Sequence, residues 1–222
     1  MRKIIATEFL TLDGVMQGPG GVDEDRRGNF ERGGWSFQFW SEEAAQYKYD
    51  ELFAAEGLLL GRVTYEIFAG AWPTLTDAEN LRMVKEAGGD VKAMEATMPE
   101  GDPFSNRMNS LPKYVVSTTL KKVEWNNSTL IKGDVAQEIA KLKQQPGKDI
   151  LIAGSSELVN SLKDYDLIDE YRLMICPIVL GSGKRLFKDG IDTKILRLVE
   201  AKPFSTGVVV LTYQLDGKVS GI

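Results

Sequence analysis

Hydrophobic and polar positions along the chain switch between two periods. Residues 2–12 alternate and are rich in Ile, Thr and Phe, which predicts a first strand closed by Asp13-Gly14. From Ser41 to Glu56 the repeat is helical: Ser41 suits an N-cap, and Ala45, Tyr49, Leu52 and Phe53 share one face. Gly57 ends that helix. Leu58-Leu59-Leu60 then reads as a short buried strand, and Gly61-Arg62-Val63-Thr64-Tyr65 as a turn into a helix carrying Ile67 and Phe68. Thr76-Asp77-Ala78-Glu79 has capping-box spacing and opens a helix through about Ala87. After a glycine-containing excursion over 88–101, Asp102-Pro103 places a cap before a proline at the first helical position, with Phe104, Met108 and Leu111 on one face.

Lys113 to Ser117 reads as a further strand. Asp134 with Gln137 repeats the capping signal ahead of a stripe of Val135, Ile139 and Leu142, and Pro146-Gly147 stops that helix. Ile150 to Ala153 is continuously apolar, as a central parallel strand covered on both faces should be. Gly154-Ser155-Ser156 leads into a helix with Leu158, Val159 and Leu162 inward. Residues 168–180 form a strand broken by Pro177, and 194–202 and 207–215 form two antiparallel strands joined at Pro203–Thr206. Strands alternating with helices and closing on antiparallel strands predict an α/β sandwich, with helices on both faces of a mixed sheet. No linker or repeat interrupts 1–222, which reads as one domain. The polar, glycine-rich stretch from Gln17 to Gly34 is long for a compact domain, and such loops are commonly functional lids or disordered.

Composition narrows the chemistry. With 27 basic and 32 acidic residues the net charge is −5, which argues against nucleic acid or an anionic membrane as partner. The N-terminal apolar run is too short and interrupted for a signal peptide or a membrane span. One cysteine, Cys176, permits no disulfide within the chain and fits a reducing, cytoplasmic setting. The chain has no histidine, which removes Ser-His-Asp triads, Cys-His dyads and imidazole metal sites; no metal is expected. A hydrolase is further disfavoured by the lack of a Gly-x-Ser-x-Gly elbow. Proton transfer falls to carboxylates, Lys, Tyr, Cys or water.

Three segments share one design, a buried strand followed by Gly or Ser/Thr and a helix or turn: Leu60-Gly61-Arg62-Val63-Thr64, Val116-Ser117-Thr118-Thr119 and Ala153-Gly154-Ser155-Ser156. In an open α/β sheet ligands bind beyond the carboxyl ends of the parallel strands. Helix N-termini there offer free N–H groups and partial positive charge to phosphate. Each turn alone also reads as an ordinary turn or cap; together they suggest a ligand with several phosphates, such as a dinucleotide. Gly181-Ser182-Gly183 lacks the third glycine of the Rossmann fingerprint, since Leu186 stands there, and Gly183-Lys184-Arg185 lacks the Ser or Thr of a P-loop.

The ordered set Thr11-Leu12-Asp13-Gly14, Leu60 to Glu66, Val116 to Leu120, Ala153 to Leu158 and Pro177 to Phe187 resembles the C-terminal reductase domain of bifunctional riboflavin biosynthesis proteins, a family related to dihydrofolate reductase. The resemblance spans about residues 2–215. It implies a dihydrofolate reductase-like three-layer α/β/α sandwich with a mostly parallel sheet, an NADPH cofactor, a small-molecule substrate and a homodimer. By position, Gly61, Arg62 and Thr64 resemble the turn at the cofactor pyrophosphate. Ser117 and Thr118 resemble the segment beside the adenosine ribose, where Lys121 and Lys122 could meet a 2′-phosphate or simply lie in solvent. Gly154, Ser155, Ser156 and Leu158 resemble the second glycine turn, beneath pyrophosphate and nicotinamide. Many relatives carry Gly-Gly there, often with a cis bond; this chain has Ala153-Gly154.

Asp13 is the candidate catalytic carboxylate. A partly buried acid of raised pKa at the end of the first strand could relay a proton or grip the N–H groups of a pterin or pyrimidine; the bland alternative is an Asp-Gly turn. Glu42 and Glu43 are weaker alternatives, since a helix N-terminus favours acids in any case. Trp35, Trp40 and Trp72 are placed either to stack on a planar ligand or to pack the core, and Trp125 is given no role. The expected activity is hydride transfer from NADPH to a pterin, an aminopyrimidine or a related imine. The rival reading is a non-catalytic, dimeric nucleotide-binding module.

Overall fold

The computed structural model describes residues 1–75, 77–86, 88–92, 95, 103–190 and 192–216. The elements are β1 (Ile4–Thr11), α1 (Glu42–Ala54), β2 (Gly57–Gly61), α2 (Arg62–Ala71), α3 (Asp77–Glu86), α4 (Pro103–Ser110), β3 (Lys113–Val116), β4 (Ser128–Ile131), α5 (Val135–Gln144), β5 (Ile150–Ile152), α6 (Ser156–Lys163), β6 (Glu170–Cys176), β7 (Leu196–Pro203) and β8 (Val209–Leu215). One sheet of 8 strands runs in the order β4-β3-β2-β5-β1-β6-β8-β7. From β4 to β6 the pairings are parallel, and β8 is antiparallel to both β6 and β7. The mixed sheet and its antiparallel end are those expected from the sequence.

Both faces of the centre are covered, as the apolar runs of β2 and β5 require. Ile139 and Leu142 of α5 and Val159 and Leu162 of α6 pack with Ile4, Ala6 and Ile152 on one face. Leu52 of α1, Tyr65 of α2 and Met108 of α4 pack with Ile5, Leu60 and Leu151 on the other. The caps form where expected: the Ser41 hydroxyl accepts from the Ala44 amide and the Asp134 carboxylate from that of Gln137. Thr76 and Asp102, the other two candidate caps, lie outside the described residues.

Two expectations are corrected, and a strand is added. The inward face of α1 is Ala44, Ala45, Glu51 and Leu52, while Tyr49 and Phe53 stack on each other at 4.2 Å with Phe53 exposed. The strand β4 went unread, because Ser128-Thr129-Leu130-Ile131 is short, largely half-buried and pairs only with β3. The loop from Gln17 to Gly34 is tied down: Gln17 donates to the Asp25 and Arg27 carbonyls, the Trp35 indole donates to the Gln17 carbonyl, and Phe30 and Trp35 enter a core cluster. Val208 and Val210 of the C-terminal hairpin are buried within the chain, whereas Leu198 and Val199 of the edge strand β7 are each 47% exposed. Among the described residues, no helix is long and apolar enough to cross a membrane.

Leu59 lies fully buried in the middle of β2. Leu59→Ala should lower the stability by about 2–5 kcal/mol through lost burial and the cavity left behind, read from the shift of the urea unfolding midpoint.

Candidate active site

All strands from β3 to β1 point the same way, so their carboxyl ends share one rim. The pairing of β1 with β5 covers Ile4↔Ile150 to Ala6↔Ile152 and stops, whereas β1 continues along β6 as far as Thr11↔Cys176. From β1 the chain passes through α1 to β2 on the far side of β5; from β5 it passes through α6 to β6 on the far side of β1. Two neighbouring parallel strands whose connections leave in opposite directions make a topological switch point, with a crevice beyond their ends.

Two of the three expected turns meet beside this crevice. A Cβ on Gly61 would lie 2.5 Å from the Ser155 hydroxyl, and one on Gly154 would lie 3.0 Å from that of Thr64. A side chain at Gly61 would displace the Ser155 hydroxyl, and Gly154, with a positive φ of 73°, favours glycine through its backbone as well. The helices that start here, α2 behind Gly61 and α6 behind Ser155, carry no side-chain N-cap. Among the described residues, no side chain satisfies their first N–H groups at the rim, and the buried Ser156 hydroxyl has no partner. Such an arrangement suits a phosphate or pyrophosphate group.

The remaining site residues are divided. Arg62 stands on the rim, half-exposed and paired with Glu66 at 2.9 Å. Leu158 is in the core beneath Gly61 and offers packing only. The third turn follows β3, one strand further out; the buried Ser117 hydroxyl accepts from the Thr119 and Leu120 amides, leaving Thr118 exposed. Lys121 and Lys122 lie on an open groove of about 710 Å³ that runs outside α2 past Tyr65, Glu66 and Trp125, and Lys122 pairs with Glu124. The cis peptide bond lies between Gly154 and Ser155, one position beyond Ala153-Gly154.

Asp13 is at the rim, yet its chemistry is the reverse of that expected. Its carboxylate accepts from the Thr11 hydroxyl at 2.6 Å and from the Leu180 and Gly181 amides at 3.2 and 2.8 Å. These bonds, the Thr11 hydroxyl foremost, hold its pKa down at about 2, so it is an anionic clasp between the end of β1 and the loop after β6. Glu43 is bonded to Ser205 at the β7–β8 turn, and Glu42 is exposed. Trp35 is core, Trp72 packs on Phe68 and Phe104, and Trp40 lies over Phe9 with ring centroids 6.2 Å apart.

A buried carboxyl beside the parting of β1 and β5 belongs to Glu8, which the sequence reading missed. It lies two residues past the point where β1 leaves β5, and both its oxygens accept from the Gly154 amide, at 3.0 and 3.1 Å. It is 4% exposed, and burial pushes its pKa up to about 8 against the opposing effects of the Gly154 amide and the Lys48 charge. Around Thr7, on the other side of the strand, runs an ion network: Lys48 donates to Thr7 and to Glu51, Thr7 donates to Glu51, and Arg172 bridges Glu51 and Glu170. The available signal was a single acid at the apolar parity of β1, between Ala6 and Leu10.

The crevice, the rim and the strand order define a dihydrofolate reductase-like fold. Solved structures agree: the chain matches a pyrimidine reductase-like protein from Corynebacterium diphtheriae with TM-score 0.59 at 13% identity, covering 98% of this chain and 93% of that one. A putative riboflavin biosynthesis protein from Shewanella sp. PV-4 matches with TM-score 0.57 at 18% identity, covering 97% and 99%. Dihydrofolate reductase from Enterococcus faecalis, complexed with NADP(H) and RAB-propyl, matches with TM-score 0.55 at 14% identity, covering 96% of each chain. The chain belongs to the RibD C-terminal domain family, whose model matches residues 2–210. It is 37% identical over 208 residues to the uncharacterized protein YwjB of Bacillus subtilis (strain 168), covering 93% of this chain and 95% of that one. It is also 39% identical over 110 residues to the uncharacterized protein YyaP of the same strain, a match that spans 58% of YyaP and 50% of this chain.

A carboxyl group whose folded pKa lies below its unfolded value stabilises the fold above the unfolded pKa and loses that contribution on acidification. Asp13 should therefore contribute fully at neutral pH and cease to between pH about 4 and about 2. Asp13→Asn should be less stable than the parent at pH about 7, and the gap in urea midpoint should close at pH about 2.

Proposed function

We propose that the chain binds NADPH along the rim and reduces a planar nitrogen heterocycle, of the pterin or aminopyrimidine class, or a related imine. The observation that carries this reading is the nesting of two helix N-termini without side-chain caps at the switch point of a reductase-family fold. When bound, NADPH supplies the hydride. The α2 and α6 N-termini, Thr64 and the Ser156 hydroxyl would hold the pyrophosphate, and Ser117, Thr118 and Lys121 lie on the side where a 2′-phosphate would be recognised. The nicotinamide end would then occupy the crevice above Glu8, with Phe9, Trp40 and the Lys48 network forming the wall on the α1 side. The apolar Leu198 and Val199 on β7 support a homodimer formed through that edge.

Titration with NADPH and NADH, followed by nicotinamide fluorescence, tests the reading. NADPH should bind, and more tightly than NADH; a chain that binds neither has another function. Oxidation of bound NADPH should then depend on an added pterin, aminopyrimidine or cyclic imine. Gly61→Val should weaken NADPH about tenfold or more by driving a side chain into Ser155, while circular dichroism of the free protein stays close to the parent's.

A further inference from the structure

We propose that Glu8 faces the nicotinamide ring as a neutral acid and supplies the proton that accompanies hydride transfer. The inference rests on the cofactor reading above. Its geometric basis is the gap between β1 and β5. Strand pairing would normally satisfy the Gly154 amide, but the strands have parted, and the Glu8 carboxyl fills the place of the missing strand. That amide belongs to the turn that leads into α6, so the acid and the turn expected beneath the nicotinamide are in direct contact. Of the four hydrogen-bonding sites that two carboxyl oxygens offer, one N–H takes up the inward side.

The charged groups set against Glu8 are Lys48 and Glu51 of α1, which act in opposite senses and are joined to each other. From β6 its cross-strand neighbour is Leu173, and from β5 and α6 it meets the Gly154 amide. Nothing in this surrounding compels ionisation, and burial opposes it. In the reduction of an imine, hydride adds to the carbon and the C=N π bond breaks. Its electron pair then takes the Glu8 proton on nitrogen. A C–H and an N–H bond form, the nicotinamide is oxidised, and Glu8 is left as a carboxylate. Once the product has left, solvent entering the crevice returns a proton to Glu8.

Product formation leaves a nicotinamide cation beside the new carboxylate, and this gives a test that needs no substrate. NADP+ should favour the ionised form of Glu8, whereas NADPH, with an uncharged ring, should not. NADP+ should therefore tighten about tenfold relative to NADPH between pH about 6 and about 9, since each pKa unit gained on binding is a factor of ten. Both nucleotides carry the same 2′-phosphate, whose titration cancels in the ratio. Glu8→Gln, which keeps an oxygen acceptor for Gly154, should bind NADPH as the parent does and show a flat ratio. In parallel, carbon NMR of protein labelled at the glutamate carboxyls should show one group titrating near pH 8 in the free chain, moved down by NADP+ and not by NADPH. A ratio that is flat in the parent, or sloped equally in Glu8→Gln, overturns the proposal. So does an NMR titration in which no carboxyl responds to NADP+, a reading independent of whether the variant folds. If the parent binds neither nucleotide, the cofactor reading itself fails, an outcome distinct from binding without pH linkage.

Discussion

The parting of β1 from β5 is the constraint on which the rest of the site depends. Up to Ala6 and Ile152 the two strands satisfy each other's backbone, and beyond that point their connections must leave in opposite directions because the next strands lie on opposite sides. A buried N–H left there without a partner would cost about 1–3 kcal/mol. The Gly154 amide is the group at risk, and the fold answers with a carboxyl from the strand that moved away. The opening beyond the strand ends and the acid beside it thus have one origin. A helix N-terminus beside the opening adds partial positive charge without any ionised side chain.

The same geometry divides charge between two sides of β1. Thr7 and Glu8 are successive residues and point opposite ways, as strand residues do. Thr7 turns towards α1, into a network where Lys48 and Arg172 offset Glu51 and Glu170. A buried network of this kind adds little net stability, because desolvation of its members nearly cancels their attraction. Its effect is positional: every carboxylate in it is held by more than one donor, leaving the wall next to Phe9 and Trp40 rigid and polar. Glu8 is left outside it; among the described residues it takes the single N–H of Gly154 and no direct cation.

Much of the architecture was legible because it is local. Buried runs such as Leu58-Leu59-Leu60, followed by Gly61, and Ile150-Leu151-Ile152, followed by Ala153-Gly154-Ser155, announce strand-to-helix turns, and these two turns do nest. The C-terminal pair of strands, joined at Pro203–Thr206, was equally plain. What stayed hidden depends on partners remote in sequence. Glu8 and Gly154 are 146 residues apart, so nothing near Glu8 marks it as more than an acid in an apolar strand. The face of α1 misled for a related reason: Tyr49 and Phe53 look like core residues, but they stack on each other outside, while Lys48 and Glu51 go inward because each neutralises the other. Edge strand β4 has too few residues and too little burial to leave a periodic trace.

Asp13 and Glu8 show why position at the rim does not by itself identify an acid. Both are carboxyls on or just past β1, five residues apart, and the sequence favours Asp13 for its place at the strand end, ahead of the long polar loop. Asp13 is given three donors, a hydroxyl and two amides, all of which favour its anion and hold it at about 2. An anion so held has no proton to give at neutral pH, and its bonds are committed to the loop after β6. Glu8 has burial and one shared N–H, and burial prevails. Because the difference comes from donors and solvent rather than from the residues' own acidity, the two carboxyls take separate roles: one fastens the rim, and the other keeps its proton where the crevice opens.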